Sequence, residues 1–382
     1  MATGNAAGGT LLKLACWSVS NRQRYAARPS GSVSAETSQG CEVLAQLKTS
    51  VKQLIGFLCA TTCFVCALAS PSSLSAQAAA VSPAPAPSAV STASTSGVEL
   101  ERRPHLSGRQ VTLPLTVVKG YLFFEGEING VQGKLIFDVG EESALAINSH
   151  RISPPDGVIY GTGYFGSGQT FQVARFPVID DLKLPGGLEF KGSTHIRGNT
   201  GQQLEDNITP DFIGWIGLDF FDGYVMKLDL QKPVVTFYRN DDSGIGFKAA
   251  IEQEQVLQVI SFDNKGHRNF PVLPVHVGTS AFVATVDTGS HTALWLNAAT
   301  IAQLTKEGRL IRDGDNGYSL IGLKVGEQMI DPIHVEVNEG RVPFAARIGV
   351  ADQNVIVLGY EFLRRFKSVW DYQNQTLTLA KL

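Results

Sequence analysis

The chain has 382 residues, among them 39 glycines, and a formal net charge of -3 at neutral pH. That length accommodates two domains, the glycine content suits many short strands and turns, and the charge leaves no basic face for nucleic acid. All five cysteines, Cys16, Cys41, Cys59, Cys63 and Cys66, sit near the start, so nothing beyond them can form a disulfide or a thiolate metal site.

Residues 1–78 read as a leader. Lys48 and Lys52 precede an apolar run from Leu54 to Ala69, and Ala76-Gln77-Ala78 places small residues at the spacing a signal peptidase uses. The run is shorter than the roughly 20 residues of a membrane span, so the expectation is export to the periplasm or the exterior with no stable span in the mature chain. A retained anchor is one alternative. An organellar transit peptide is another, since Arg22, Arg24 and Arg28 lack acidic neighbours. Residues 79–105, rich in Ala, Pro and Ser, bury too little apolar surface to offset the entropy of ordering and read as a flexible linker. Two lobes are expected to follow, 106–243 and 253–382, with Asp241-Asp242-Ser243-Gly244 opening the connection between them.

In the first lobe, Tyr121 to Ile128 and Val131 to Phe137 read as strands joined at Asn129-Gly130, a dipeptide that tolerates the positive φ of a tight hairpin turn. Phe137-Asp138-Val139-Gly140 then leads to a second apolar run, Ser143 to Asn148. Gly161 to Gly168 matches the dinucleotide pattern G-x-G-x-x-G, but the alternating stretch Gln169 to Val178 that follows supplies no helix N-terminus for a pyrophosphate, so nucleotide binding is discounted. The lobe closes with Trp215-Ile216-Gly217, Asp229, a turn, and a strand from Val234 to Tyr238.

The second lobe repeats this plan. Phe270 to Val277 and Ala281 to Val286 flank Gly278-Thr279-Ser280, and Val286-Asp287-Thr288-Gly289-Ser290 leads to Thr292 to Asn297. A helix is expected between Asn297 and Gly308, with Asn297 as cap, Ile301 and Leu304 on one face and Gly308 as terminator. Val357-Leu358-Gly359 corresponds to Trp215-Ile216-Gly217. Asp371 follows Gly359 by 12 residues, as Asp229 follows Gly217 by 12. The simplest origin is one ancestral unit used twice, and the fold class is all-β with a few short helices. The seven histidines show no paired metal-ligand spacing.

An apolar strand ending in Asp-Thr-Gly-Ser, a following Ala-Leu strand and a later apolar-apolar-Gly segment resemble the aspartic proteases, both retropepsin-like and pepsin-like, over Val111 to Leu382. The resemblance implies a bilobal protein of two homologous β-barrel-like lobes, with Asp138 and Asp287 as a catalytic pair that shares a proton, activates water and cleaves peptide bonds. It implies supporting roles for Gly140, Thr288, Gly289 and Ser290: glycines that let backbone N–H groups approach the carboxylates, a threonine that braces the opposite loop, a serine that supports the outer carboxylate oxygen. Gly217 and Gly359 match the glycine that threads behind each loop. The Gly161 to Gly168 stretch matches the flap, with Tyr164 or Phe165 covering the cleft; the alternative is a mobile surface hairpin. The second lobe offers only Asp313 to Tyr318 in that place, which implies a single flap. A peptide or protein is the expected partner, and no cofactor is expected.

The first motif departs from the pattern. Val139 lacks the threonine hydroxyl, so the brace survives from one side only, forfeiting about 1 kcal/mol of net hydrogen bonding. Glu141 adds a carboxylate near the pair and is expected to raise its pKa by like-charge repulsion. These departures keep open a different class of function, a catalytically inactive homologue that binds peptides or a partner protein in the same cleft; a third reading keeps only a surface scaffold. His291 reads as a solvent-facing turn residue, Trp215, Trp295 and Trp370 as core, and Asp229 and Asp371 as turn residues.

Overall fold

The computed structural model describes residues 102–165, 169–314, 317–340, 345 and 354–382. The expected leader, the linker as far as residue 101 and the side chain of Tyr164 lie outside the described residues. The first half supplies β1 (Gln110–Pro114), β2 (Thr116–Val118), β3 (Tyr121–Ile128), β4 (Val131–Phe137), β5 (Leu145–Asn148), β6 (Val158–Tyr164), β7 (Thr170–Leu184), β8 (Leu188–Asn199), β9 (Phe212–Ile216), β10 (Tyr224–Asp229) and β11 (Val234–Arg239). The second supplies β12 (Val256–Ser261), β13 (Val272–Val277), β14 (Ser280–Val286), β15 (Ala293–Leu296), β16 (Leu310–Asp313), β17 (Gly317–Leu320), β18 (Leu323–Val325), β19 (Gln328–Ile330), β20 (Ile333–Glu339), β21 (Val355–Leu358), β22 (Lys367–Asp371) and β23 (Thr376–Ala380).

The fold is all-β and two-lobed. One lobe is an eight-stranded sheet ordered β2-β3-β4-β9-β5-β8-β7-β6; the other is a nine-stranded sheet ordered β16-β17-β20-β15-β21-β14-β13-β18-β19. The chain takes the same path in each. β4 runs parallel to β9 and β14 parallel to β21; β5 is antiparallel to β9 and β15 to β21; β5 is parallel to β8 and β15 to β20. A six-stranded sheet, β1-β11-β10-β22-β23-β12, takes three strands from each half. Its central pair joins the halves antiparallel, with Met226 opposite Trp370 and Asp229 opposite Lys367.

Local chemistry accounts for the first hairpin. Asn129 and Gly130 adopt φ of 48° and 81°, bringing Ile128 opposite Val131, as a two-residue turn with both φ positive requires. The strands it joins are buried on both faces. Leu122, Phe124, Leu135 and Phe137 enter the main core, whereas Phe123 and Ile136, pointing the other way, pack with Phe212 and Trp215 in a separate cluster. Each such side chain taken from water stabilises the fold by roughly 1.5–3 kcal/mol, and two-sided burial fixes the strand register.

The second hairpin begins two residues later than the pattern suggests, at Val272, and turns at Gly278 with φ of 59°. The helix Ala298–Lys306 forms where expected: Asn297 Oδ1 accepts from Thr300 N at 2.8 Å, Leu304 is buried, and Gly308 stops it at φ of 66°. Three other helices, Gln202–Asn207, Ile245–Ile251 and Tyr360–Leu363, are 6, 7 and 4 residues long, under two turns and too short to print a 3.6-residue period on the sequence. Asp229 and Asp371 cap turns, accepting from Gln231 N and Asn374 N. The second lobe has a counterpart of the β6–β7 hairpin after all, since β16 and β17 hold the same place at the sheet edge. Each has only four residues. Among the described residues no helix is long and apolar enough to cross a membrane.

Candidate active site

Asp138 follows β4 and Asp287 follows β14, each held by the strand running parallel behind it: Asp138 N donates to Ile216 O at 3.0 Å and Asp287 N to Leu358 O at 3.1 Å. The next two residues of those segments grip the loops again, Leu218 N bonding Glu141 O at 2.8 Å and Tyr360 N bonding Ser290 O at 3.0 Å. Between these bonds lie Gly217 and Gly359. A Cβ at Gly217 would collide with the carbonyls of Glu141 and Ser143, and one at Gly359 with those of His291 and Ser290.

The two carboxyls converge. A Cβ built on Gly140 would lie 3.0 Å from Asp138 Oδ1 and 3.2 and 3.3 Å from the two Asp287 oxygens; one on Gly289 would strike the Asp138 carboxyl itself. Gly140 N donates to Asp138 Oδ1 at 2.8 Å and Gly289 N to Asp287 Oδ1 at 2.9 Å, and the two carboxyls are near enough to titrate as a pair. Val139 N donates to Thr288 Oγ1 at 3.0 Å, a buried bond across the lobes, while the Val139 side chain packs into the main core. Ser290 lines the groove above the pair, and among the described residues its hydroxyl has no bond to either carboxyl.

Both carboxyls are held above the ordinary aspartate range. Enclosure by protein is the first cause at each; at Asp138 the charges of Asp287 and then Glu141 push further, against the Gly140 N–H. At Asp287 the N–H of Gly289, the facing carboxyl of Asp138 and the N–H of Gly140 all oppose the rise. The pair therefore holds one proton into a pH range where an isolated carboxyl would have lost it.

Glu141 is not the bare charge its position in the motif suggests. Its Oε1 accepts from Ser143 N at 3.0 Å and Ser143 Oγ at 2.5 Å, and pairs with Arg197 Nη1 at 3.2 Å. Arg197 in turn donates from Nε to Asn199 Oδ1 at 3.0 Å and sits 6.0 Å over the Phe171 ring. Glu141→Gln, which keeps the shape and removes the charge, should lower the pKa of Asp138 and move the basic limb of any activity profile to lower pH; a titration of cleavage rate against pH that leaves that limb in place would contradict this coupling.

A groove of about 710 Å³ opens over the pair. Tyr160, Phe165 and Phe171 of the β6–β7 hairpin line it, with the Phe165 and Phe171 rings 4.5 Å apart, and no described residue of β16 or β17 does. Trp215 and Trp295, expected as core, are 5% and 8% exposed and yet line the groove from opposite lobes. His291 is another correction. It is 7% exposed, packs beneath Gly120 and faces His334 and Tyr360, with burial drawing its pKa down.

Four groove residues had no sequence signal. Tyr121, whose hydroxyl is kept protonated by burial and then by the charges of Glu336, Asp287 and Asp138, offers a donor beside the pair. Arg197 arrives through the parallel pairing of β8 with β5, where it lies opposite Ala146. Glu336 arrives likewise on β20, opposite Ala293, and Asn269 on the segment before β13. Among the described residues no group of three or more His, Cys, Asp or Glu is arranged to hold a metal ion.

No family model matches the sequence, and no curated protein matches it. Among solved structures, the fold is similar to the crystal structure of an aspartic proteinase from Irpex lacteus, at 13% identity and a TM-score of 0.43, covering 71% of this chain and 97% of that one. A likeness of that degree assigns no residue a role, so the functional reading rests on the geometry of Asp138 and Asp287.

Proposed function

We propose that this chain is an exported aspartic-type peptidase that hydrolyses peptide bonds with Asp138 and Asp287. The observation that carries the reading is the meeting of the two carboxyls beside Gly140, both raised in pKa, on the floor of a groove lined by both lobes. In this reading an extended peptide lies beneath the β6–β7 hairpin. The ionised member of the pair takes a proton from an attacking water while the protonated member donates to the scissile carbonyl. The backbone N–H groups of Gly140 and Gly289 keep each carboxyl oriented between turnovers.

Val139, which leaves the brace between the loops one-sided, favours a second reading, a peptide-binding homologue without turnover. A digest of a peptide library from acidic to neutral pH, with new termini identified by mass spectrometry, separates the two. Cleavage is the expected result. Intact peptides that nonetheless copurify with the protein would support the binding homologue.

A further inference from the structure

The opposite lobe holds Val139 N and the Gly140 carbonyl of the Asp138 loop, and the second of these holds comes from outside the second acidic motif. Thr288 Oγ1 accepts from Val139 N. Asn269, just before β13, donates from Nδ2 to the carbonyl of Gly140 at 2.6 Å. Asn269 is 5% exposed, and among the described residues its Oδ1 is buried without a partner. The amide orientation follows from chemistry, because turning it over would set Oδ1 against the Gly140 carbonyl, acceptor against acceptor. A side chain kept in place with half its hydrogen-bonding capacity unmet is committed to the other half.

We propose that Asn269 is a positioning residue for Asp138, holding the first acidic loop from the second lobe where Val139 has left the usual brace one-sided. The proposal rests on the reading of Asp138 and Asp287 as a working pair. The mechanism is the planarity of one peptide unit. The Gly140 carbonyl and the Glu141 N–H share a plane and point in opposite directions. Drawing the carbonyl toward Asn269 therefore aims the Glu141 N–H at Asp138, where it is shared between the backbone carbonyl at 3.1 Å and Oδ1 at 3.2 Å. The repeat offers no return. Asp287 minus Asp138 is 149, and the residue 149 before Asn269 is Gly120, which has no side chain to reach the second loop. The tether therefore serves the loop that lost its hydroxyl and not the one that kept it.

The test uses Asn269→Ala and the shape-preserving Asn269→Asp, with kinetics and backbone amide hydrogen exchange measured on the full chain. Each variant should lower kcat by about 10- to 100-fold, the order of loss that a misplaced reacting group produces, with a smaller change in KM, and should speed exchange at Gly140 and Glu141 while leaving β3 and β4 protected. Adding Val139→Thr to Asn269→Ala should recover part of both losses by restoring the brace from the other side. Exchange reads the loop whether or not the protein turns over, so an inactive wild type whose loop still loosens on Asn269→Ala overturns the peptidase reading and upholds the tether. Unchanged exchange at Gly140 and Glu141 in a folded variant overturns the tether, as does a kcat that stays at the wild-type value. Should Asn269→Ala not fold, Asn269→Asp gives the same readouts.

Discussion

Asp287→Asn should cut peptide cleavage by roughly 10²- to 10⁴-fold, the usual contribution of general acid-base catalysis, while the peptide still binds. Asparagine has the shape of aspartate and its Oδ1 can still accept from Gly289 N, a bond of 2.9 Å in the native loop. What it removes is the ability to take the proton from water. The same substitution removes the first charge that raises Asp138, so Asp138 should titrate at lower pH in the variant. Stability follows with a definite sign. Because both carboxyls are raised in the folded state, the native protein binds more protons than the unfolded chain between the ordinary aspartate value and the raised one. Stability therefore falls as pH rises through that window. The variant sheds the Asp287 share of this loss and the part of the Asp138 share that the Asp287 charge imposes, while burial and Glu141 still act on Asp138, so thermal melts should place its midpoint above wild type at neutral pH, with the gap closing as pH drops below the ordinary aspartate range. Wild-type cleavage by Asp287→Asn would dispose of the two-carboxyl mechanism.

Gly359→Ala should abolish stable folding. The glycine does not serve conformational freedom here, since its φ of -103° is open to any residue. It serves space, because a Cβ would collide with the backbone carbonyls of His291 and Ser290. Backbone cannot rotate aside as a side chain can, and the segment is pinned by the bonds from Asp287 N to Leu358 O and from Tyr360 N to Ser290 O. The expected cost exceeds about 4 kcal/mol, the range reserved for a named steric or packing failure, against a total stability of roughly 5–15 kcal/mol for an ordinary domain. Gly130 is the internal control. It has φ of 81° and nothing within 4 Å of a Cβ, so alanine there should cost only about 1–2 kcal/mol of left-handed strain. Chemical denaturation of the two variants side by side measures the difference, and a Gly359→Ala protein as stable as wild type would mean that this segment does not thread tightly behind the second loop.

Much of the architecture is legible in the amino-acid sequence. Asn129-Gly130 dictates its own turn, Asn297 and Gly308 bracket their helix with local hydrogen bonds and handedness, and the spacing of Asp229 and Asp371 behind Gly217 and Gly359 marks a repeat. These signals are short-range, and the last of them is printed in both lobes. The length of β7 and β8, 15 and 12 residues, was less legible, because their pairing with each other holds them extended past the point where alternation fades. Trp215 and Trp295 looked like core because apolar flanks cannot distinguish a sheet face that meets another sheet from one that meets a groove.

By itself the sequence determined the all-β class, the doubled plan and the two aspartates at the ends of equivalent strands, since turn chemistry, alternation and repetition act between near neighbours. Only the tertiary structure decided that Arg197 pairs with Glu141, that Tyr121 stands beside the two aspartates with Glu336 in the same groove, and that Asn269 grips the loop of Asp138. The Asn269 contact alone joins residues 129 positions apart, brought together by strand order and by the packing of one lobe against the other, and no local pattern of side chains records such a meeting.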